Sequence, residues 1–239
     1  HWIYLYYTPK KDNGAIRLSR FVFANNSLQL SSEKIMLKVP TLKGQELFHA
    51  AGSIEFDDKG FLYLSTGDNS AHSGNEYALI DERQGRIAFD AQRSSANSMD
   101  LRGKILRIKP LADGSYLCPK GNLSANEDVV LPPATEQEPD DPAFLKKIKG
   151  TLNAVSITGK KPETSTSMAS HQEKIDSVSI STTVPVYSSY GRPEIFVMGV
   201  RNPFRISYDN KSQTLFWGDV GPDAGLFDSL RGPEGYDEI

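Results

Sequence analysis

Apolar residues along this chain recur in short alternating runs, not at helical spacing. WIYLYYT, IRLSRFVF, KIMLKV, GSIEF, FLYLST, KILRI, EIFVMG, FRISY and TLFWGD are each of strand length and rich in β-branched and aromatic residues. Between them, KKDNG, DDKG and DNKSQ carry the Asp, Asn and Gly chemistry of hairpin turns. Only DPAFLKKIKG hints at a helical period, so the pattern predicts a nearly all-β protein.

Two of the hairpins resemble each other. GSIEFDDKGFLYLSTGD and FRISYDNKSQTLFWGD both run strand, Asp-containing turn, aromatic strand, Gly-Asp. Successive blades of a β-propeller repeat in this way, although a sandwich also contains hairpins. Residues from about 122 to 190 break the pattern. EDVVLPPATEQEPDD is acidic and proline-rich, and TGKKPETSTSMASHQEKIDSVSISTT is polar and poor in aromatics. The composition predicts a partly disordered surface insertion within a single partial propeller over 1–239.

Composition narrows the function classes. The net charge of −3 gives no basic surface for nucleic acid or an anionic membrane. No apolar run approaches the roughly 18 residues of a membrane span. The single cysteine, Cys118, excludes an internal disulfide, and nothing in YLCPKG activates a thiol, so it reads as structural. A start at His1 inside a strand-like run and an end at GYDEI are what an excerpt of a longer polypeptide would show.

Few residues offer chemistry. His49 opens one strand of a hairpin and Asp68 closes the other, and antiparallel pairing returns the chain to its starting edge. A carboxylate on one imidazole nitrogen would leave the other as a base. On spacing alone, a strand-edge histidine and a turn aspartate satisfied by backbone groups remain the simpler reading. Arg201 and Asn202 in MGVRNPFRISYD would clamp a carbonyl or carboxylate, or merely form a polar loop. Gly221 and Pro222 in WGDVGPDAG make a tight turn whose carbonyls suit a hard cation such as Ca²⁺. Asp219, Asp223, Asp237 and Glu238 lie near it in sequence, without a D-x-D-x-D-G loop. Arg102-Gly103-Lys104 reads as a solvated strand edge, and Asp81, Glu82 and Arg83 as a loop ion-pair network. Zinc spacing, a phosphate loop and a G-x-S-x-G elbow are all absent.

Four elements in order, HAAGSIEFDDKGFLYLSTGD, LRGKILRI, RPEIFVMGVRNPFRI and GDVGPD…YDEI, resemble the glucose/sorbosone dehydrogenase family. The resemblance covers most of 1–118 and 191–239, not the central insertion. It implies a six-bladed β-propeller of four-stranded antiparallel blades, of which this chain would hold roughly half. It further implies a soluble quinoprotein that uses pyrroloquinoline quinone (PQQ) and Ca²⁺ to oxidise a sugar C1 hydroxyl to a lactone. Carried over by motif, His49 would be the general base and Asp68 its orienting carboxylate. Arg201 and Asn202 would contact the quinone and the reacting oxygen, with Arg201 also polarising the quinone carbonyl. The Gly221 and Pro222 carbonyls would bind the calcium. A small sugar substrate, an electron acceptor such as cytochrome c, no nucleic acid, no membrane insertion, and a periplasmic or extracellular location are the remaining expectations. Two other classes stay open: a Ca²⁺-dependent propeller hydrolase such as a lactonase, and a non-catalytic propeller that binds sugars or proteins.

Overall fold

The nine runs form nine of the eleven strands in a computed structural model that describes residues 1–10, 14–41, 49–70, 84, 93–135, 191–221 and 226–227. No α-helix occurs among the described residues. The DPAFLKKIKG stretch, Asp81, Glu82, Arg83, Pro222, Asp223, Asp237, Glu238 and most of the predicted insertion lie outside them.

β1 (Trp2–Tyr7), β2 (Ala15–Ala24) and β3 (Ser27–Pro40) form one antiparallel sheet. Asn25 and Asn26 close the β2–β3 hairpin at φ 52 and 56. Asparagine tolerates that left-handed conformation, which matches the twist of a two-residue hairpin. β4 (Ala51–Phe56), β5 (Leu62–Thr66), β6 (Lys104–Pro110) and β9 (Ile195–Met198) pair antiparallel in the order β4-β5-β6-β9. That is the strand number and direction of a propeller blade. β7 (Tyr116–Cys118) and β8 (Val129–Leu131) extend from the far end of β6. The sheet therefore continues through Leu131, so the polar stretch expected to leave the fold at about 122 is in part strand. β10 (Pro203–Asp209) and β11 (Thr214–Asp219) form the second of the two similar hairpins.

The middle sheet is covered on both faces. Leu62 and Leu64 of β5 and Leu106 and Ile108 of β6 pack with Leu18 and Met36 of the first sheet. Tyr63 and Ile105 point the other way, onto Ile206, Tyr208 and Trp217 of the β10–β11 hairpin. Both faces of β5 are covered, so all five residues of LYLST are buried, Ser65 and Thr66 included. Cys118 lies in the first core, where burial foremost, with Glu194 adding to it, pushes its thiol pKa up, which agrees with a structural role.

The turns do what their residues imply. Asp57 Oδ1 accepts the Lys59 and Phe61 amides in DDKG, and Asp209 Oδ2 accepts the Ser212 amide and hydroxyl in DNKSQ. β10 runs beside β4, tied by Ile206 N–H to Ser53 Oγ and Asp58 N–H to Asn210 Oδ1. The two hairpins are thereby set side by side, with their Gly-Asp ends at the same edge.

Candidate active site

The chain enters β4 through a backbone that few side chains adopt: His49 has φ 49, Ala51 has φ 50 and Gly52 has φ 108. The β4–β5 register slips between Ala51 and Ile54, and such irregularities re-aim side chains at strand mouths. The left-handed backbone at His49 itself accompanies a ring that meets Asp68 at the end of β5. His49 Nδ1 lies 2.9 Å from Asp68 Oδ1, with the two side chains 7% and 0% exposed.

Asp68 is held by more than the histidine. Its Oδ1 also accepts the Ser70 amide at 2.8 Å, and Oδ2 accepts the Ser70 hydroxyl at 2.8 Å. An ionised carboxylate only accepts, so His49 donates Nδ1–H and leaves Nε2 with its lone pair. An imidazole in that state can take a proton from a substrate hydroxyl.

The second motif meets the first through the main chain. Asp68 N–H donates to the Arg201 carbonyl at 2.8 Å, and Ala51 N–H donates to Asn202 Oδ1 at 3.1 Å. Asp219 receives both amides of that turn, Arg201 N–H on Oδ2 at 2.9 Å and Asn202 N–H on Oδ1 at 2.7 Å. The buried Arg201 side chain donates Nη1–H to the carbonyls of Val220 at 3.0 Å and Gly221 at 2.7 Å. His49, Asp68, Arg201, Asn202 and Gly221 thus belong to one connected cluster, while Pro222 lies outside the described residues.

A third layer lies beneath. Gly103 N–H donates to the Gly67 carbonyl, and Thr66 Oγ1–H donates to the Leu101 carbonyl. Lys104 is fully buried, and its ammonium donates to the carbonyls of Ser94, Ser95 and Arg102 at 2.8, 2.9 and 2.7 Å. Burial foremost lowers its pKa to about 7, against the pull of the Asp100 and Asp68 carboxylates. Arg102 pairs with Asp100, with both side chains buried. The Arg-Gly-Lys stretch is therefore an internal support and not the solvated edge its charge predicts. The physical reason is that three inward-facing carbonyls match the three ammonium hydrogens.

Sequence reasoning also passed over Ser70 and the clamping role of Asp219. The repeated Gly-Asp ending was the available cue for Asp219, because it places an aspartate at the same point of each hairpin.

No cluster of three His, Cys, Asp or Glu able to hold a metal occurs among the described residues, and Asp223, Asp237 and Glu238 lie outside them. Of the Gly-Pro turn, the described carbonyl is that of Gly221, which accepts from Arg201 Nη1–H; a carbonyl oxygen is the ligand type a hard cation takes. The buried guanidinium and the Asn202 carboxamide suit a polar, anionic quinone. Groups of the type each would take are present, one turn carbonyl for the cation and a guanidinium and carboxamide for the quinone.

The Glucose / Sorbosone dehydrogenase family model matches residues 1–133, which include His49, Asp68 and Ser70. No curated protein matches the chain. Arg201, Asn202 and Gly221 lie beyond the matched span and join it through the hydrogen bonds to Asp68 and Ala51. The match covers more than half of the sequence, its family is a β-propeller of sugar-dehydrogenase type, and the all-β sheets agree with it: the chain belongs to the glucose/sorbosone dehydrogenase family.

Proposed function

We propose that this chain carries the base side of a PQQ- and calcium-dependent dehydrogenase that oxidises the C1 hydroxyl of an aldose to a lactone. The observation that carries the reading is the His49–Asp68 pair, a buried carboxylate 2.9 Å from Nδ1 that leaves Nε2 as the accepting nitrogen. His49 removes the C1 hydroxyl proton, and Asp68 stabilises the imidazolium that results. Arg201 and Asn202 would hold the quinone, and the Gly221 and Pro222 carbonyls the calcium. The bound quinone supplies the acceptor for the C1 hydride, and calcium supplies charge that polarises it. Arg201 adds positive charge on the same face, already oriented by the Val220 and Gly221 carbonyls.

An electron acceptor such as cytochrome c then regenerates the oxidised protein, which works in the periplasm or outside the cell. Among the described residues no helix is long and apolar enough to cross a membrane.

The test is reconstitution with Ca²⁺, PQQ and an electron-accepting dye, followed by a screen of aldoses. Aldose-dependent dye reduction is expected. His49→Ala should cut turnover by about a hundredfold or more while quinone binding, read by absorbance, persists. Absence of both dye reduction and quinone binding refutes the reading, and full turnover by His49→Ala removes the histidine from it.

A further inference from the structure

We infer that the Tyr6 hydroxyl and its surroundings form a binding site for a single water molecule, between the first sheet and the hairpin that carries His49. The inference stands independently of the proposed reaction.

Tyr6 lies on β1, and its side chain packs against the first core. A Cβ added to Gly52 would lie 3.0 Å from Tyr6 Cδ1, so the ring rests directly on the backbone at the mouth of β4. At the tip of the ring the hydroxyl is buried and has no hydrogen-bond partner among the described residues. Burial pushes its pKa up, so the group stays a neutral hydroxyl, able both to donate and to accept. A buried hydroxyl without a partner forfeits the hydrogen bonds it makes to water in the unfolded chain. Folded proteins rarely tolerate that loss, and a bound water is one of the usual remedies.

A cavity at this point has room for such a partner. Its walls include Tyr6, Thr41 just past β3, His49 and Gly67 at the mouth of the β4–β5 hairpin, and Arg102 ahead of β6. The space open to the centre of a water molecule is about 10 Å³. A cavity begins to hold one water at roughly 10–15 Å³, so a water fits and a sugar does not.

Two further polar groups on the lining residues, the Thr41 hydroxyl and Arg102 Nη1, are engaged by no hydrogen bond among the described residues. Arg102 Nε and Nη2 are taken by Asp100. Water suits this set, because it accepts from a guanidinium and donates to a hydroxyl oxygen. The same three groups would also donate to a small anion such as chloride. Asp100 already neutralises Arg102, however, so an anion would enter without a balancing charge, which burial penalises. Water is the occupant that costs less.

The test is a crystal structure of the intact protein, soaked in bromide, together with Tyr6→Phe. Ordered density within about 3.2 Å of Tyr6 Oη is expected, without an anomalous bromide signal. Tyr6→Phe removes one oxygen and keeps the ring. If that oxygen is bonded to a bound water, the variant loses a hydrogen bond, and its denaturant midpoint falls at an unchanged m-value. If the oxygen is a true orphan, its deletion removes a buried penalty, and the midpoint holds or rises. A midpoint that does not fall overturns the inference, and so does a cavity without density. An anomalous peak at the site overturns it in favour of an anion. If Tyr6→Phe does not fold, the wild-type density decides alone. None of these outcomes depends on aldose oxidation, so a failure of the proposed function leaves the water site standing.

Discussion

Lys104 makes the stability of this protein depend on pH in a direction set by burial. Its folded pKa is about 7, against an ordinary 10.5, chiefly because burial penalises the ammonium. Between these values the unfolded chain keeps the proton while the folded protein releases it. Stability therefore rises with pH, by up to about 1.4 kcal/mol per unit. Across pH 7 to 9 the limit is about 2 kcal/mol. The three carbonyl bonds favour the ammonium and oppose release, so a rise of about 1–2 kcal/mol is the expected outcome.

Lys104→Met removes the titration while filling similar volume. Denaturant unfolding of both proteins, followed by tryptophan fluorescence, gives their difference at each pH, and other titrating groups cancel. The wild type should gain on Lys104→Met as pH rises from 7 to 9. A difference that is flat, or that falls, over that window would refute the reasoning.

Two further outcomes follow from the geometry. A Cβ on Gly67 would lie 1.6 Å from the His49 carbonyl oxygen and 2.2 Å from its carbon, both backbone atoms. Gly67→Ala should cost about 3 kcal/mol or more and displace His49; a melting temperature and turnover equal to wild type would contradict this. Asp219→Asn exchanges an acceptor for a donor against the Arg201 and Asn202 amides, and should cost about 2 kcal/mol in denaturant unfolding. A change within about 0.5 kcal/mol would show that the clamp is not needed to hold the turn.

The strands and their turns were legible because each part of the signal is local. Alternation sets which side chains face a sheet, and Asp57 and Asp209 bond to amides within a few residues of themselves. β7 and β8 were not, because YLC and VVL are too short to show a period and are strands only by pairing with the end of β6 and with each other. Antiparallel closure allowed the His49–Asp68 contact without favouring it over a strand-edge histidine and a turn aspartate, because spacing does not reveal the left-handed backbone at His49. Ser70 was hidden because its position depends on the left-handed backbone at Asn69, a conformation the residue permits but does not dictate. The Lys104 cage was misread for a related reason. Charge predicts exposure unless acceptors are arranged inside, and two of the three acceptors belong to Ser94 and Ser95, in the irregular segment ahead of β6 whose path the sequence pattern does not reveal.

The bond from Asp68 N–H to the Arg201 carbonyl, with that from Ala51 to Asn202, joins the two hairpins at their acidic ends. The register of β9 on β6, fixed at Lys104↔Met198, delivers the Arg201 turn to that junction. Spacing between the base and the cationic clamp is thus a property of sheet pairing and not of the length of chain between them. A one-residue slip in either hairpin would therefore separate the two halves of the site.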